Sequence, residues 1–518
     1  MNFINKLIRH AVINQHHPQA DEQLMLTSDL AANVQTFKDL FSYPQNISLK
    51  IRELFIPTLR MGAVILFIEG TADTTTIEKH IIEPLLDPAL MQTGEEDLAL
   101  GLLKSSLTTS NGHQLQGVRD CLNTLFSGGT LILFEGMPEA LSIDTPGFEK
   151  RAISTPKSEN VIIGPKESFV ESAYANRSLI RKHIKDEKLM FETMVIDKRA
   201  QSMISIIYLK DVANPELVAK VKHRIAEVGD TSVQTLSILA QHIEERPYSL
   251  VPSTLITERP DRACSFILEG HIAILMENAP YAMVVPVTFW ALFQTAEDMY
   301  TRWAYGNFIR FVRLFAMVVA LLLPSIYVAV STFHEEMIQT DLLLAIAATR
   351  ERVPFPALIE VLIMEVAFEL VREAGIRIPT VMGPTIGIVG ALILGQAAVD
   401  ANIISPILVI VVALTGLSSF ALPELNFNFG VRSLRFVVLF ISSFLGFFGI
   451  ALFLSGLLAY LVSLKSFGVP FLSPLAPYTR SSKDLITRPP VWKMWLRPST
   501  AWPIQKKRGQ KPEGNSSQ

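Results

Sequence analysis

Residues 314–333 read LFAMVVALLLPSIYVAVSTF, a stretch of twenty residues without Asp, Glu, Lys or Arg. An α-helix rises about 1.5 Å per residue, so about 20 apolar residues cross the roughly 30 Å hydrocarbon core of a bilayer. Arg313 precedes the stretch and His334 follows it. These features predict a membrane-spanning helix.

Three more uncharged windows follow this one. Residues 378–399, 401–423 and 436–464 are each long enough to cross a bilayer, the last with considerable tilt. Their Pro and Gly residues are tolerated because packed neighbours satisfy the freed backbone groups. We therefore expect an all-α transmembrane helical bundle of about four spans at residues 314–464, entered through residues 278–313.

Charge asymmetry predicts the orientation of the bundle. Arg302, Arg310 and Arg313 precede the first span, whereas residues 334–341, HEEMIQTD, hold three acids and no Lys or Arg. Because basic residues stay on the cytoplasmic side, the first span should run outward and four spans should return the chain to the cytosol. Residues 465–518 agree, since ten Lys/Arg face two acids there, a balance of +8 in a chain of net charge −3. This basic cytosolic tail suits an anionic lipid leaflet better than nucleic acid.

Arg432 and Arg435 disagree with this orientation, because four spans would place both on the outer side. One additional membrane-embedded segment would remove the disagreement. The candidates are residues 278–296 and the glutamate-containing stretch at 356–379.

The first half of the chain has a different composition. Short apolar β-rich runs such as RMGAVILFIEG (60–70) and QSMISIIYL (201–209) alternate there with charged helical periodicity. No apolar signal-peptide core precedes them, so this half should stay in the cytosol. The expected fold is an N-terminal cytosolic α/β region of two subdomains, followed by the helical bundle. The predicted limits are an extension at 1–44, subdomains at 45–150 and 160–277, and a Pro- and Ser-rich boundary within 137–165.

Three predicted strands end in similar four-residue sequences: FIEG (67–70), LFEG (133–136) and ILEG (267–270). Their glycines could supply turn conformations. The repetition indicates either related strand-turn units or three ordinary strand ends.

Enzyme signatures are missing from the sequence. It contains no GxGxxG, P-loop, GxSxG or CxxC, and Cys121 and Cys264 provide neither a disulfide framework nor a metal cluster. His334, Glu335 and Glu336 resemble half of a zinc-protease motif, but no second histidine stands one turn later. We therefore expect no enzyme, no cofactor and no metal site.

The stretch PALIEVLIMEVAFELVREAGIRIP (356–379) holds the candidate functional residues. At about 100° per residue, Glu365, Glu369 and Glu373 share one polar stripe of a helix predicted at 355–374. This stripe indicates either an amphipathic helix with carboxylates in water or a pore helix whose carboxylates form rings that attract cations.

Glu360 is separate from this stripe and points into the apolar face of the same helix. An ionisable group among apolar neighbours must pair, take up a proton or face a cavity. Arg350 and Arg352 are possible partners. Functional placement and structural ion pairing both remain open.

Several stretches together resemble a known family. They are GPKESFVESAYANRSLIRKHI (164–184), TERPDRACSFILEGHIAILMENAP (257–280), QTAEDMYTRW (294–303), the FHEE-to-REAGIRIP block (333–379) and GVPFLSPLAPY (468–478). They resemble the A subunits of GerA-type spore germinant receptors, and the stage V sporulation protein AF family is a close relative.

The resemblance implies a subunit of a nutrient receptor in the inner spore membrane. Its partners would be a transporter-like B subunit, a lipoprotein C subunit and further copies of itself, which together would form a ligand-gated cation channel. The family offers no catalytic motif. The alternatives are a non-conducting signalling scaffold, an accessory channel like the stage V relative, and a secondary transporter with a broken helix at 376–387.

Overall fold

The computed structural model describes residues 24–56, 60–86, 112–147, 156, 159–197, 199, 201–229, 232–377, 395–479, 481–482 and 484–509. The chain divides into two compact units. The first, which we call the α/β unit, comprises residues 1–160, 165–243 and 256–284. The second, the helical unit, comprises residues 161–164, 244–255 and 285–518. The predicted limits of the two subdomains stay predictions.

The α/β unit begins with a five-stranded sheet. Its elements are α1 (Leu30–Leu40), β1 (Leu49–Ile56), β2 (Met61–Ile68), a helical stretch (Thr74–Ile77, Glu78–Ile82, Glu83–Leu86), β3 (Gly112–Leu115), α2 (Val118–Phe126), β4 (Thr130–Phe134) and β5 (Ala140–Ile143). The strand order is β1-β2-β4-β5-β3, and neighbouring strands are antiparallel. Leu66 packs with α1 and α2, whereas Ile65 packs with the helical stretch. The centre of β2 is uniformly apolar because helices cover both faces of the sheet.

A second five-stranded sheet repeats this arrangement. Its elements are α3 (Ala173–His183), β6 (Leu189–Ile196), β7 (Ser202–Leu209), α4 (Pro215–Glu227), α5 (Leu236–Ile243), β8 (Leu255–Thr257), α6 (Pro260–Leu268), β9 (Ile272–Met276) and β10 (Ala282–Val285). The order β6-β7-β9-β10-β8 matches the first sheet strand for strand. Residues 130–143, TLILFEGMPEALSI, and 272–285, IAILMENAPYAMVV, are identical at five of fourteen positions. The α/β unit is therefore built from two structural repeats.

Of the three similar sequences that end in glycine, only two lie at the ends of strands. FIEG and LFEG follow β2 and β4, and Gly70 and Gly136 adopt positive φ there. ILEG ends helix α6, so its prediction as a strand end was wrong. Pro260 suits the first turn of that helix, and Gly270 follows its end with φ 99°. Gly128 lies at the matching point after α2, also with positive φ.

The helical unit contains the predicted bundle. Its elements are α7 (Trp303–Phe333), α8 (Thr340–Arg350), α9 (Ala357–Arg377), α10 (Pro406–Phe420), α11 (Leu425–Ser463), β11 (Lys465–Ser466) and β12 (Val469–Pro470). Ser405 and Glu424 cap the first turns of α10 and α11, where their side chains accept backbone N–H bonds. Residues 278–296 form β10 and a 3₁₀ turn, so they provide no additional helix.

Helix α11 folds back on itself at Gly446. This glycine has φ 57° and ψ −139°, a conformation available in practice to glycine alone. A Cβ placed on Gly449 would lie 2.8 Å from the backbone oxygen of Ile441. Eight residues of straight helix would separate these positions by about 12 Å. Residues 425–445 and 447–463 are therefore two antiparallel limbs.

Contacts beyond the two ends of α11 agree with the reversal. A straight helix of 39 residues would be about 58 Å long. The ring centroid of Phe289 nevertheless lies 5.9 Å from that of Phe427 and 6.2 Å from that of Phe471. Both ends of α11 thus lie at the same end of the bundle. The prediction of one tilted span at 436–464 was wrong, because the reversal lies inside it.

The bundle has a basal end, where α7 begins, and an apical end, where α7 finishes. A Cβ on Gly446 would lie 3.2 Å from Cβ of Phe333, so the reversal is apical. Helix α9 starts at the apical end, where Glu360 accepts the N–H of Ser405, and α9 reaches the basal half at Arg372 beside Ser419. Helices α9 and α10 therefore run from the apical end to the basal end.

This arrangement removes the conflict over Arg432 and Arg435. Both arginines lie in the first turns of the first limb of α11, close to the basal end that Arg310 and Arg313 also occupy. Helix α9, one of the two predicted candidates for an additional membrane-embedded segment, runs along the bundle between its two ends, and its passage through a membrane stays a prediction.

Within the described residues, α7 and α11 are long and apolar enough to cross a membrane, and α10 is a shorter apolar helix. The predicted span at 378–399 and the predicted broken helix at 376–387 lie mostly outside the described residues. The count of four spans stays a prediction.

Candidate functional site

Helix α9 places its four glutamates in three different environments. Glu360 and Glu365 are fully buried, Glu369 is largely buried and Glu373 is exposed. The predicted stripe of Glu365, Glu369 and Glu373 is therefore not uniformly exposed in this structure. An exposed stripe of α9 is instead apolar, and its members are Ile359, Ile363, Val366 and Leu370.

A buried charge cluster joins α9 to α10 and to the first limb of α11. Its members are Glu365, Glu369, Arg372, Arg432 and Arg435. Nη2 of Arg435 lies 2.8 Å from Oε2 of Glu365 and 3.0 Å from Oε1 of Glu369. Arg432 donates to both oxygens of Glu369. The ion pair of Glu365 and the hydrogen bonds of Glu369 hold α9 against α11 across the bundle interior.

Arg372 completes the cluster from the side of α10. Its Nη2 donates to Oγ of Ser419 at 2.7 Å, and its guanidinium lies 4.6 Å from the ring centroid of Phe420. Its Nη1 is 3.9 Å from Oε1 of Glu369, too long for a hydrogen bond. Three guanidinium groups and two carboxylates leave the cluster with one positive charge in excess. Burial makes every one of these charges dependent on its partners.

Glu360 has the kind of partner that its apolar surroundings require. Its Oε1 is 3.6 Å from Nε of Arg350, and its Oε2 accepts the N–H of Ser405 at 3.2 Å. Arg350 also donates to the carbonyl oxygen of Ser331 at the end of α7. The group ties α8, α9 and α7 together at the apical end. Arg352, the other predicted partner, is exposed.

Glu373 lies outside the charge cluster. It accepts two bonds from Arg377 at 2.7 and 2.9 Å, one turn later on the exposed part of α9. Of the predicted stripe, the structure brings Glu365 and Glu369 together and leaves Glu373 apart.

Sequence reasoning missed the basic members of the cluster. Arg432 and Arg435 stand in the sequence just before the apolar residues 436–464. They lie in the same half of the chain as the predicted helix that is rich in glutamate. Charges inside a bundle usually pair with one another, so this signal could have suggested the pairing. Nothing in the sequence indicated Ser405 or Ser419.

His334 and the two cysteines are the remaining residues that the sequence analysis weighed for chemistry. His334 packs its ring 5.0 Å from that of Phe447, and the described residues include no group of three His, Cys, Asp or Glu side chains that could hold a metal. Cys121 and Cys264 are buried free thiols of the α/β unit. Burial raises the pKa of the Cys121 thiol to about 12 and also raises the pKa of Cys264. Both thiols are therefore poor nucleophiles in the folded protein.

Comparison with known proteins gives consistent similarities over most of the chain. Residues 35–500 match the family described as "Bacillus/Clostridium GerA spore germination protein". Spore germination protein KA of Bacillus subtilis is 37% identical over 512 residues, which cover 96% of this chain and 92% of that protein. Spore germination protein GerLA of Bacillus cereus is 33% identical over 92% of this chain and 96% of that protein. The uncharacterized membrane protein YfkQ of Bacillus subtilis is 37% identical over 84% of this chain and 85% of that protein.

One similar solved structure is the N-terminal domain of the A subunit of the Bacillus megaterium spore germinant receptor GerK3. It is 24% identical and has a TM-score of 0.40, and the match covers 51% of this chain and 98% of that domain.

Proposed function

The chain belongs to the GerA spore germination protein family, and on this premise we propose that it is the A-type membrane subunit of a nutrient germinant receptor. Family membership gives it a role in spore germination and makes it a membrane protein. The proposed setting is the inner spore membrane, with the α/β unit and the C-terminal tail in the cytosol. Its proposed partners are a transporter-like B subunit and a lipoprotein C subunit.

We further propose that several copies form a cation channel gated by movement of α9. The observation that supports this mechanism is the way α9 is held, because buried ion pairs bind it at both ends. Glu360 connects it to Arg350 at the apical end, and Glu365 and Glu369 connect it to Arg435 near the basal end. The glutamates of these pairs can exchange their arginine partners for other groups only if α9 moves. Helix α9 is therefore a candidate for an element with two alternative positions.

The ring hypothesis needs a revised form. In the present state arginines neutralise Glu365 and Glu369, so Glu373 is the exposed carboxylate of the predicted stripe. Separation of α9 from α11 would free the other two carboxylates to face a conduction path. Nutrient binding elsewhere in the receptor could drive this change only by binding the open state more tightly than the closed state.

The decisive experiment for a channel measures assembly and conduction together. The purified full-length chain would be weighed as a complex in detergent and then recorded in planar bilayers. The proposal expects an oligomer with discrete cation-selective currents. A strictly monomeric and silent protein would end the channel proposal.

A second experiment tests the carboxylates. Spores carrying Glu365→Gln, Glu369→Gln and Glu373→Gln together would be compared with spores carrying Glu373→Gln alone, at matched protein levels. The ring hypothesis expects slower cation release in both, and more strongly in the triple variant. Normal release from the triple variant would remove the hypothesis.

The non-conducting scaffold is the second candidate, favoured by the pairing of Glu365 and Glu369 with arginines rather than with solvent. A silent oligomer that still supports nutrient-triggered germination would establish it. A secondary transporter would show substrate uptake by the purified chain alone. The stage V relative would be indicated by normal germination responses to every nutrient after loss of this chain, with only their rate reduced.

A further inference from the structure

Residues 484–509 follow the bundle and are held in place by hydrogen bonds, and we call them the C-terminal segment. The backbone of Arg488 exchanges two bonds with the side chain of Asn307, at 2.6 and 3.1 Å, in the first turns of α7. Asp484 lies 2.6 Å from Nη1 of Arg310, and Nη1 of Arg488 donates to the carbonyl oxygen of Asp298. The segment is therefore fixed at the basal end of the bundle.

The far part of the segment closes on itself. The N–H of Arg497 donates to the carbonyl oxygen of Lys506 at 2.9 Å, and the N–H of Arg508 donates to that of Trp495 at 2.8 Å. The guanidinium of Arg497 also donates to the carbonyl oxygen of Lys507. These residues hold defined positions, so their side chains form a surface with a fixed arrangement.

That surface combines large apolar side chains with positive charge. Trp492 is 70% exposed, Val491 63%, Ile504 54% and Trp502 44%. Lys493, Lys506, Lys507 and Arg508 are exposed among them. Water solvates large apolar side chains such as those of Val491 and Trp492 poorly. Tryptophan and lysine together are typical of the boundary between lipid headgroups and hydrocarbon.

The surface continues onto α7. Exposed aromatic side chains follow one face of its first turns, and their members are Phe308, Phe311 and Phe315. The opposite face buries Arg310 and Arg313, whose guanidinium groups both pair with Asp298. Trp303 joins the two parts, because its Nε1 donates to the carbonyl oxygen of Arg488. Lipid-facing residues of the bundle thus begin where the C-terminal segment is docked.

We propose that residues 491–508 bind the headgroup layer of the bilayer at the basal end and prefer anionic phospholipid. Trp492 and Trp502 enter the interface, and the four exposed basic side chains contact lipid phosphate and other anionic headgroup atoms. The proposal rests on the bundle spanning a membrane, as the proposed function requires.

The test uses the full-length protein in nanodiscs that contain phospholipid brominated near the headgroup, a contact quencher of tryptophan emission. Brominated phosphatidylglycerol would be compared with brominated phosphatidylcholine at equal mole fraction. The signal of the two anchors is the difference between the wild type and the Trp492→Phe, Trp502→Phe double variant. We expect this signal to be quenched at least about twofold more by the anionic lipid.

A charge variant tests the basic side chains. Lys493→Gln, Lys506→Gln, Lys507→Gln and Arg508→Gln together should abolish the preference for the anionic lipid. The matched control removes four exposed lysines of the α/β unit, Lys79, Lys185, Lys188 and Lys210, in the same way and should keep the preference.

Each outcome has a distinct meaning. Equal quenching by both lipids would overturn the anionic preference, and no quenching of the two anchors would overturn bilayer contact and favour a protein partner. The emission that remains in the double variant comes from Trp290, Trp303 and Trp495. If that emission is also unquenched, the bundle has not entered the bilayer, and the membrane premise itself has failed.

Discussion

The pair between Arg435 and Glu365 provides the sharpest test of the charge cluster. Arg435→Gln removes the cation that lies 2.8 Å from Oε2 of Glu365, a side chain that is 1% exposed. Glu369 keeps Arg432, so Glu365 is the carboxylate left without its partner. Removing one member of a buried pair costs about 3–5 kcal/mol. At roughly 2–4 °C per kcal/mol for a unit of this size, the midpoint of thermal unfolding should fall by about 6–20 °C.

The double variant Glu365→Gln, Arg435→Gln separates local pairing from net charge. It retains two arginines and one glutamate, so the cluster keeps the single excess positive charge of the wild type. We expect it to lose only about 1–2 kcal/mol, the range of an ordinary core substitution. The single variant should then be less stable than the double variant by about 1–4 kcal/mol, which is the minimum coupling between the two sites when Glu365→Gln alone is also destabilising.

The assay is thermal unfolding of the purified full-length variants in one detergent, at one scan rate and one protein concentration. The decisive comparison is between Arg435→Gln alone, whose cluster has no net charge, and the double variant. If the single variant is as stable as the double variant or more stable, net charge governs the site and the pairing argument is refuted.

Four further outcomes are expected. Gly446→Ala should destabilise the bundle by about 1–3 kcal/mol, because Gly446 has a positive φ that alanine adopts only under strain. Gly456→Ala should be neutral or stabilising, because a Cβ there would meet nothing within 4 Å. Equal unfolding midpoints of the two variants would contradict the reversal of α11. Cys121 and Cys264 should resist a thiol reagent at pH 8 until the protein is unfolded, and fast labelling of the native protein would contradict their burial. Because burial raises the pKa of Cys121 to about 12, from about 8.5 for an ordinary thiol, its contribution to stability should be complete below about pH 8.5 and decline as the pH rises toward 12, which alkaline unfolding would measure. Asp298→Asn should cost about 3–5 kcal/mol, since it leaves the buried guanidinium of Arg313 without its carboxylate partner while Arg310 keeps Asp484, and a shift of the midpoint below about 2 °C would contradict this.

The α/β region illustrates what apolar runs predict well. The runs around β2, β4 and β7 are strands, because a strand covered on both faces is apolar at every position. The sequence ILEG was wrongly predicted to end a strand, because a short apolar run before a glycine can equally end a helix. The equivalence of the two sheets became visible only from their strand order, because few identical residues record it.

In the bundle, the sequence located apolar segments but not their paths. Residues 436–464 contain nothing that periodicity distinguishes from a single long span. The reversal depends on Gly446 lying against Phe333, which is far away in the chain. It also changes the side of the membrane on which Arg432 and Arg435 are expected.

The amino-acid sequence by itself predicted an α/β half, an apolar helical half and a helix that carries four carboxylates. Helical periodicity fixed which of those carboxylates share a face, since this depends only on spacing along one helix. Only the tertiary structure decided that the shared face points inward to Arg435 and that the apolar stripe points outward. The physical reason is that a face has no environment until its neighbours are in place, and the cations that neutralise Glu365 and Glu369 come from α11, far along the chain.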